Sequence, residues 1–384
     1  TLLAEEYDVD HETVEAAMTA LRETDDPQQK RHLTMELRDL LEPPRAKILR
    51  QFNGLRGGVK FLVDLRADLM RWAKDNQSLR DLDTDVYRLL VSWFDIGFLE
   101  LQQITWKSSA ELLEKFIRYE AVHEIRSWKD LKNRLEEDRR CYAFFHPSMP
   151  GEPLIFVEVA LVNGISTDVH ELLDEKAPMI DPDKADTAIF YSISNCQEGL
   201  AGVSFGNFLI KRVVADLVSS LPGLKNFATL SPIPGFAFWL NQQAENEESS
   251  EDERSWASTT SAEVKTILSK QNNIGDLLAS TSGKSKRAEL ARQLQQQLLS
   301  LCATYLFKAK RGSQIADRVA HFHLTNGASI KQINWAANLS DKGVEESLGM
   351  MVNYLYDLPS IEKQHEAYRS GEISASGAVK KLVK

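Results

Sequence analysis

Three observations predict an α+β fold with an all-helical N-terminal part. From His11 to about Glu120, apolar residues recur at helical spacing. After His123, short runs rich in aromatic and β-branched residues alternate with helical stretches. Within that second texture, the strand-like TAIFYSIS is followed by QEGLAGVSFGNFLIKRVVADLVSSL, a glycine-rich loop opening into an amphipathic helix. The change of texture divides the chain into a helical domain over residues 1–120 and a mixed domain with a central sheet over 121–384.

The elements follow in order. EAAMTALRE, KRHLTMELRDLL, GGVKFLVDLRADLMRWA, DTDVYRLLVSWF and SAELLEKFIRYEAV each place apolar residues on one helical face. Pro43 and Pro44, then Gly57 and Gly58, punctuate them, and the short connections imply antiparallel packing. The Arg and Lys residues on these helices read as solvated faces. CYAFFHP, EPLIFVEVALV, DTAIFYSIS and KNFATLSPIPG read as strands. NQQAENEESSEDE, ending at Glu253, is too acidic and too poor in apolar residues for a core, so it reads as an exposed loop within a helical insertion near 241–310. SAEVKTILSKQ and KRAELARQLQQQLLSLCATYLFKAK read as helices, and KGVEESLGMMVNYLYDL as a terminal helix. There is no internal repeat.

The glycine loop is the strongest functional signal. Gly199, Gly202 and Gly206 precede a helix with Ile210, Val213, Val214, Leu217, Val218 and Leu221 on one face and Lys211, Arg212 and Asp216 on another. Unpaired N–H groups and the helix dipole at such a junction can hold a pyrophosphate, although a tight connection without a ligand has the same pattern. Asn207 suits a helix cap or a ligand contact. Gly206 is followed by Asn207 and Phe208 rather than Lys-Ser/Thr, so this is no P-loop. LPGLKNFATLSPIPGF occupies the place where a dinucleotide fold would carry its acidic ribose ligand. The pattern resembles the coenzyme A loop of the N-acetyltransferase fold, which implies an acetyltransferase-like catalytic domain with a mixed sheet.

Composition narrows the function classes. A formal net charge of -10 argues against a nucleic-acid surface. No apolar run reaches the roughly 18 residues of a membrane span, the first residues TLLAEEYDVD are acidic, and the closing KKLVK is not a Ser-Lys-Leu address. Cys141, Cys196 and Cys302 are odd in number and widely spaced, which fits a reducing compartment, the cytoplasm, and indicates neither a disulfide framework nor a zinc knuckle.

Several strings together resemble the malonyl-CoA decarboxylase family: HEIRSWKDLKNRLEEDRRCYAFFHPSMPGEPLIFVEVAL, FYSISNCQEGLAGVSFGNFLIK, LPGLKNFATLSPIPGF, FHLTNGASIKQINW and MVNYLYDL. The likeness is dense over about the last 260 residues and looser before them. It implies decarboxylation of malonyl-CoA to acetyl-CoA and carbon dioxide, with a helical domain that mediates homo-oligomerisation, as a dimer or tetramer. By resemblance, Ser231 and His323 form the catalytic pair, and Ala201, Gly202, Val203, Ser204, Phe205, Gly206 and Asn207 form the malonyl-CoA loop together with Ser231 and His323. Tyr356 aligns with a tyrosine near the reacting centre, and Tyr354 is its easily confused neighbour. Animal members read Gly-Val-Glu-Leu-Gly where this chain has Gly202 to Gly206, so Ser204 stands at the glutamate.

The residue types suit that chemistry. Loss of carbon dioxide from a malonyl thioester leaves an enolate, which needs donors at its oxygen and a proton at its carbon. Backbone N–H groups near the end of Thr187 to Ser194 can supply the donors. An imidazole with a pKa near 6.5 makes His323 a natural proton donor. His321, two residues away, would share its face on an extended segment, but the pair without a carboxylate or cysteine is a weak metal signal. Pro232 pushes Ser231 toward extended backbone, and Ser231 either binds the malonyl carboxylate or relays a proton. Tyr356 lies on the apolar face of the expected terminal helix. His146, Asn326, His123 and Trp335 carry no role that chemistry alone supplies. No metal, biotin or pyridoxal is called for, since coenzyme A is part of the substrate. An acyltransferase of the same fold and a catalytically inactive CoA-ester sensor remain the competing classes.

Overall fold

The computed structural model describes residues 2–94, 96–203, 209–245, 286–312 and 314–383. The expectations placed on Ser204, Phe205, Gly206 and Asn207, on the acidic run beyond Glu245 and on SAEVKTILSKQ lie outside the described residues. The chain forms two compact units, one of Thr1–Gln102, Ala143–Ile155 and Asn195–Phe205, the other of Gln103–Tyr142, Phe156–Ser194 and Gly206–Lys384.

The first unit is mainly helical, with helices His11–Glu23, Pro27–Leu40, Pro44–Gln51, Gly58–Trp72 and Gln77–Trp93. Their starts are set by local side chains. Asp10 accepts from the Glu12 and Thr13 N–H groups, Asp26 caps a helix with Pro27 at its first position, and Asn76 accepts from Leu79 N–H. Leu62, Val63, Leu69, Leu82, Val86 and Leu90 are buried on the two longest helices. Arg45, also buried, pairs with Asp85 at 2.8 Å and Asp8 at 3.0 Å and donates to Ala4 O.

The mixed sheet consists of β1 (Glu100–Ile104), β2 (Arg139–Phe145), β3 (Pro153–Val162), β4 (Thr187–Asn195), β5 (Asn226–Thr229), β6 (Ser231–Pro232), β9 (Ser329–Asn334) and β10 (Met351–Leu355). A separate hairpin joins β7 (Lys310–Arg311) and β8 (Gln314–Ile315). The order runs β1-β2-β3-β4-β5-β10, with β6 continuing beside β10 and β9 on the opposite edge of β10. β4 and β5 are parallel, so the helix Leu209–Ser220 must cross over between them. Thr187 to Tyr191 are buried without alternation, as a central strand covered on both faces requires. Ile189, Tyr191, Ala228, Leu230 and Met351 share one core cluster.

Four expectations differ from what is observed. Helix Ala110–Tyr119, expected within the helical domain, belongs to the second unit, where Phe116 packs on Phe156 of β3 with centroids 4.6 Å apart. Helix Phe236–Glu245 runs on into the acidic stretch expected as loop. Val218 is exposed rather than on the buried face of its helix. KGVEESLGMMVNYLYDL is not one helix: Asp341–Ser347 ends at Leu348 in the left-handed conformation, and Met351–Leu355 is strand. A short run that is buried nearly throughout carries no period to separate a strand from a helix, and the sheet claimed it.

Candidate active site

Ser231 stands where the chain leaves one strand neighbour for another. Leu230 N–H donates to Phe190 O at 3.0 Å, closing the parallel β4–β5 pair, and Ser231 then pairs with Val352 of β10. Two residues earlier, Thr229 receives both the Ser231 hydroxyl at 2.8 Å and the Tyr354 N–H at 3.1 Å on its Oγ1. A string of amides fixes the strand edge behind it. Gln332 donates to Asn334, Asn334 to Asn353, and Asn353 to Thr229 O at 2.7 Å.

His323 comes from helix Arg318–Thr325. Its Nε2 lies 3.0 Å from Ser231 Oγ and its Nδ1 lies 2.8 Å from the Tyr356 hydroxyl. Each ring nitrogen thus meets a hydroxyl that can either donate or accept, and the distances are the same for both tautomers. Ser231, His323 and Tyr356 are 5%, 2% and 2% exposed. Burial pushes the imidazole down to about 3 and raises the Tyr356 phenol well above its ordinary range. The ring is therefore neutral, which corrects the expectation of an imidazole titrating near 6.5.

The helix also corrects the pairing with His321. Two residues apart on a helix differ by about 200° in direction, so His321 faces elsewhere and meets the Tyr368 hydroxyl at 2.7 Å. Among the described residues no group of three His, Cys, Asp or Glu could hold a metal ion.

Asp317 joins the two segments that carry Ser231 and His323. As N-cap it accepts from Ala320 N–H at 2.8 Å, and it also accepts from the Val319 and Gly235 N–H groups. Burial pushes its carboxyl up to about 6. A side chain at Gly235 would force the Tyr305 hydroxyl to shift. At the far end of the helix, Gly327 takes φ +78° against the Ile361 carbonyl, and Asn326 Nδ2 donates to Phe322 O at 2.7 Å. Asn326 therefore ends the helix, and His146, in the first unit, accepts Ser148 N–H on Nδ1 and packs 4.7 Å from the Phe94 ring. His123 is buried, with its imidazole pushed down to about 4 by that burial.

The described part of the glycine loop, in the first unit, is held by its carbonyls. Arg66 Nη1 donates to Gly199 O and Ala201 O, each at 2.7 Å, while its guanidinium lies 4.7 Å over the Tyr87 ring and pairs with Asp83. Tyr87 Oη donates to Gly202 O at 3.1 Å. A side chain at Gly199 would overlap the Val63 carbonyl, so only glycine lets the loop lie this close to the helix. The Ala201 and Val203 N–H groups donate to Glu198 O and Leu200 O in turns.

Sequence reasoning missed Thr229, Asp317, Asn353 and Arg66. An aspartate three residues before an alanine in HFHLTNGA's leading turn is a readable cap, but Arg66 lies over 130 positions from its acceptors and carries no local signal.

The malonyl-CoA decarboxylase N-terminal domain matches residues 7–94, and the malonyl-CoA decarboxylase C-terminal domain matches residues 97–384. A curated relative from Anser anser anser, named malonyl-CoA decarboxylase, mitochondrial, is 38% identical over 95% of this chain and 75% of its own length. The Rattus norvegicus protein of the same name is 37% identical over 99% of this chain and 80% of its own. The crystal structure of malonyl-CoA decarboxylase from Rhodopseudomonas palustris superposes with a TM-score of 0.87 at 40% identity, covering 99% of this chain and 88% of that one. The Agrobacterium vitis enzyme gives a TM-score of 0.84 at 40% identity, covering 100% and 89%. With the two domain models matching residues 7–94 and 97–384 and the fold shared, this chain belongs to the malonyl-CoA decarboxylase family.

Proposed function

We propose that the protein converts malonyl-CoA to acetyl-CoA and carbon dioxide, and that Ser231, His323 and Tyr356 carry the proton chemistry. The observation behind this reading is a neutral, buried imidazole held between two hydroxyls, with Ser231 at the end of the chain. An anionic carboxylate brought beside such a ring favours its charged form, so substrate and proton enter together. The C–C bond to the carboxylate then breaks, its electrons pass into the thioester carbonyl, and carbon dioxide leaves. Ser231 passes its hydroxyl proton to the enolate carbon and takes the Nε2 proton of His323, which returns to neutral with Nδ1–H toward Tyr356. One proton is consumed per turnover, and the charges cancel at each step.

The enolate oxygen needs donors. The β4–β5 ladder stops at Phe190, and Ser192 is the next residue whose N–H faces that edge, so we assign it this role. The loop from Ala201 to Asn207 is assigned to the coenzyme A moiety. The reaction so written uses no resident cofactor or metal. A homo-oligomer, dimer or tetramer, is assigned to the helical unit, whose Met35, Phe61 and Trp72 are exposed. Light scattering after gel filtration tests it. The three cysteines form no disulfide, which suits a cytoplasmic placement, to be checked by fractionation of source cells. No described helix is long and apolar enough to cross a membrane.

The deciding experiment incubates purified protein with malonyl-CoA alone and follows products by mass spectrometry. Acetyl-CoA without an acceptor is expected. Free malonate with CoA, or unchanged substrate, would reject the reading in favour of hydrolysis or transfer. Calorimetry in buffers of different ionisation enthalpy should show about one proton taken up on binding malonyl-CoA and none on binding CoA.

A further inference from the structure

A hollow in the second unit is unused by this chemistry. The helix Phe236–Glu245, the C-terminal end of helix Lys286–Lys308, the β7–β8 hairpin and the start of the His323 helix enclose a cavity of about 870 Å³. That volume lies within the range that holds small organic ligands. One wall is aromatic. Phe238 is 67% exposed, and Trp239 lies beside it with Tyr305 behind, the last two rings 5.3 Å apart. The rim is cationic, with Lys310, Arg311 and Arg318 all exposed, in a chain whose formal net charge is -10. Among the described residues of the wall the one carboxylate is Asp317, and it is turned inward to the Tyr305 hydroxyl and to backbone N–H groups. Flat rings beside concentrated positive charge suit a ligand with a planar base and phosphate groups.

We propose that this cavity binds a nucleoside phosphate, its base against Phe238 and Trp239 and its phosphates held by Lys310, Arg311 and Arg318. Its walls are the Pro234–Gly235 turn that follows Ser231 and the Asp317–Arg318 start of the helix bearing His323. Occupancy therefore bears on the two segments whose spacing sets the Ser231–His323 contact. The nucleotide has two possible sources, a free nucleotide or the 3′-phosphoadenosine end of a CoA ester.

The test titrates ADP and, separately, CoA into the full chain by calorimetry, using wild type, the double variant Lys310→Glu with Arg311→Glu, and Phe238→Ala. All three positions are exposed, and thermal melts check that each variant folds. ADP binding should weaken at least about tenfold in the charge-reversed variant and severalfold in Phe238→Ala. Parallel loss of CoA affinity identifies the CoA ester as the source, whereas CoA affinity within about twofold of wild type identifies a free nucleotide. Absent ADP binding in wild type, or ADP affinity unchanged in both folded variants, overturns the proposal. Inorganic tripolyphosphate binding as tightly as ADP, with no effect of Phe238→Ala on either, overturns recognition of the base.

Discussion

The ring of Tyr354 stacks on that of His323, with centroids 4.6 Å apart and planes inclined by 24°, while its own hydroxyl finds no partner among the described residues. Tyr356, two positions along the same chain direction, instead reaches His323 through its hydroxyl. One tyrosine holds the imidazole by its face and the other by Nδ1.

Substitution separates the two. Tyr356→Phe removes the hydroxyl at Nδ1 and should lower kcat about 10- to 10²-fold, the worth of a hydrogen bond to a group that becomes charged. Tyr354→Phe keeps the stacked ring and loses an unpartnered hydroxyl, so kcat should stay within about threefold. Steady-state assays of both variants decide it, and the reverse ranking would reassign the catalytic tyrosine to Tyr354.

His323→Asn retains some hydrogen bonding but removes the transferable proton. The expected loss is about 10²- to 10⁴-fold in kcat with CoA affinity within a few-fold of wild type. A variant within about tenfold of wild-type kcat would remove His323 from the proton path.

The pH dependence follows from the neutral ring. With its folded pKa depressed to about 3, His323 is uncharged in the free enzyme at every ordinary assay pH, so kcat/KM should show no acid limb near 6.5 from this residue. For stability, the unfolded state binds the extra proton between about 3 and 6.5, so this contribution is complete above about 6.5 and is lost as pH falls toward 3. Asp317, raised to about 6, acts in the opposite sense, favouring the fold below its unfolded value and losing that effect as pH rises through 6. Denaturant midpoints from pH 4 to 7 for wild type and His323→Asn should converge at low pH and separate at high pH.

Asp317→Ala removes a cap and the acceptor for Gly235 N–H, and should cost about 1–3 kcal/mol together with a fall in kcat. Asp317→Asn keeps an accepting oxygen and should recover most of both. Melting curves and kcat measured in parallel check this, and equal effects of the two substitutions would show that the charge, not the acceptor, matters.

Arg66→Lys leaves one ammonium where a guanidinium spans two carbonyls and an aromatic ring. If the loop holds coenzyme A, CoA affinity should fall about 5- to 20-fold with kcat less affected. Unchanged affinity in a folded variant would detach the loop from the ligand.

The sequence alone determined the helical beginning and the strands β2 to β5, and its family strings pointed to Ser231, His323 and Tyr356, because periodicity, β-branched runs and family strings are local signals. Tertiary structure decided the rest. MVNYL became strand because β5 and β9 offered it two edges, and that placed Tyr356 in reach of His323 rather than on a helix face. His323 lost its titration near neutrality because burial, which no string of letters states, disfavours its charge. Arg66 became the anchor of the glycine loop because folding brought together residues far apart in the chain, and the hydrogen bonds of a buried guanidinium are chosen by whichever carbonyls arrive.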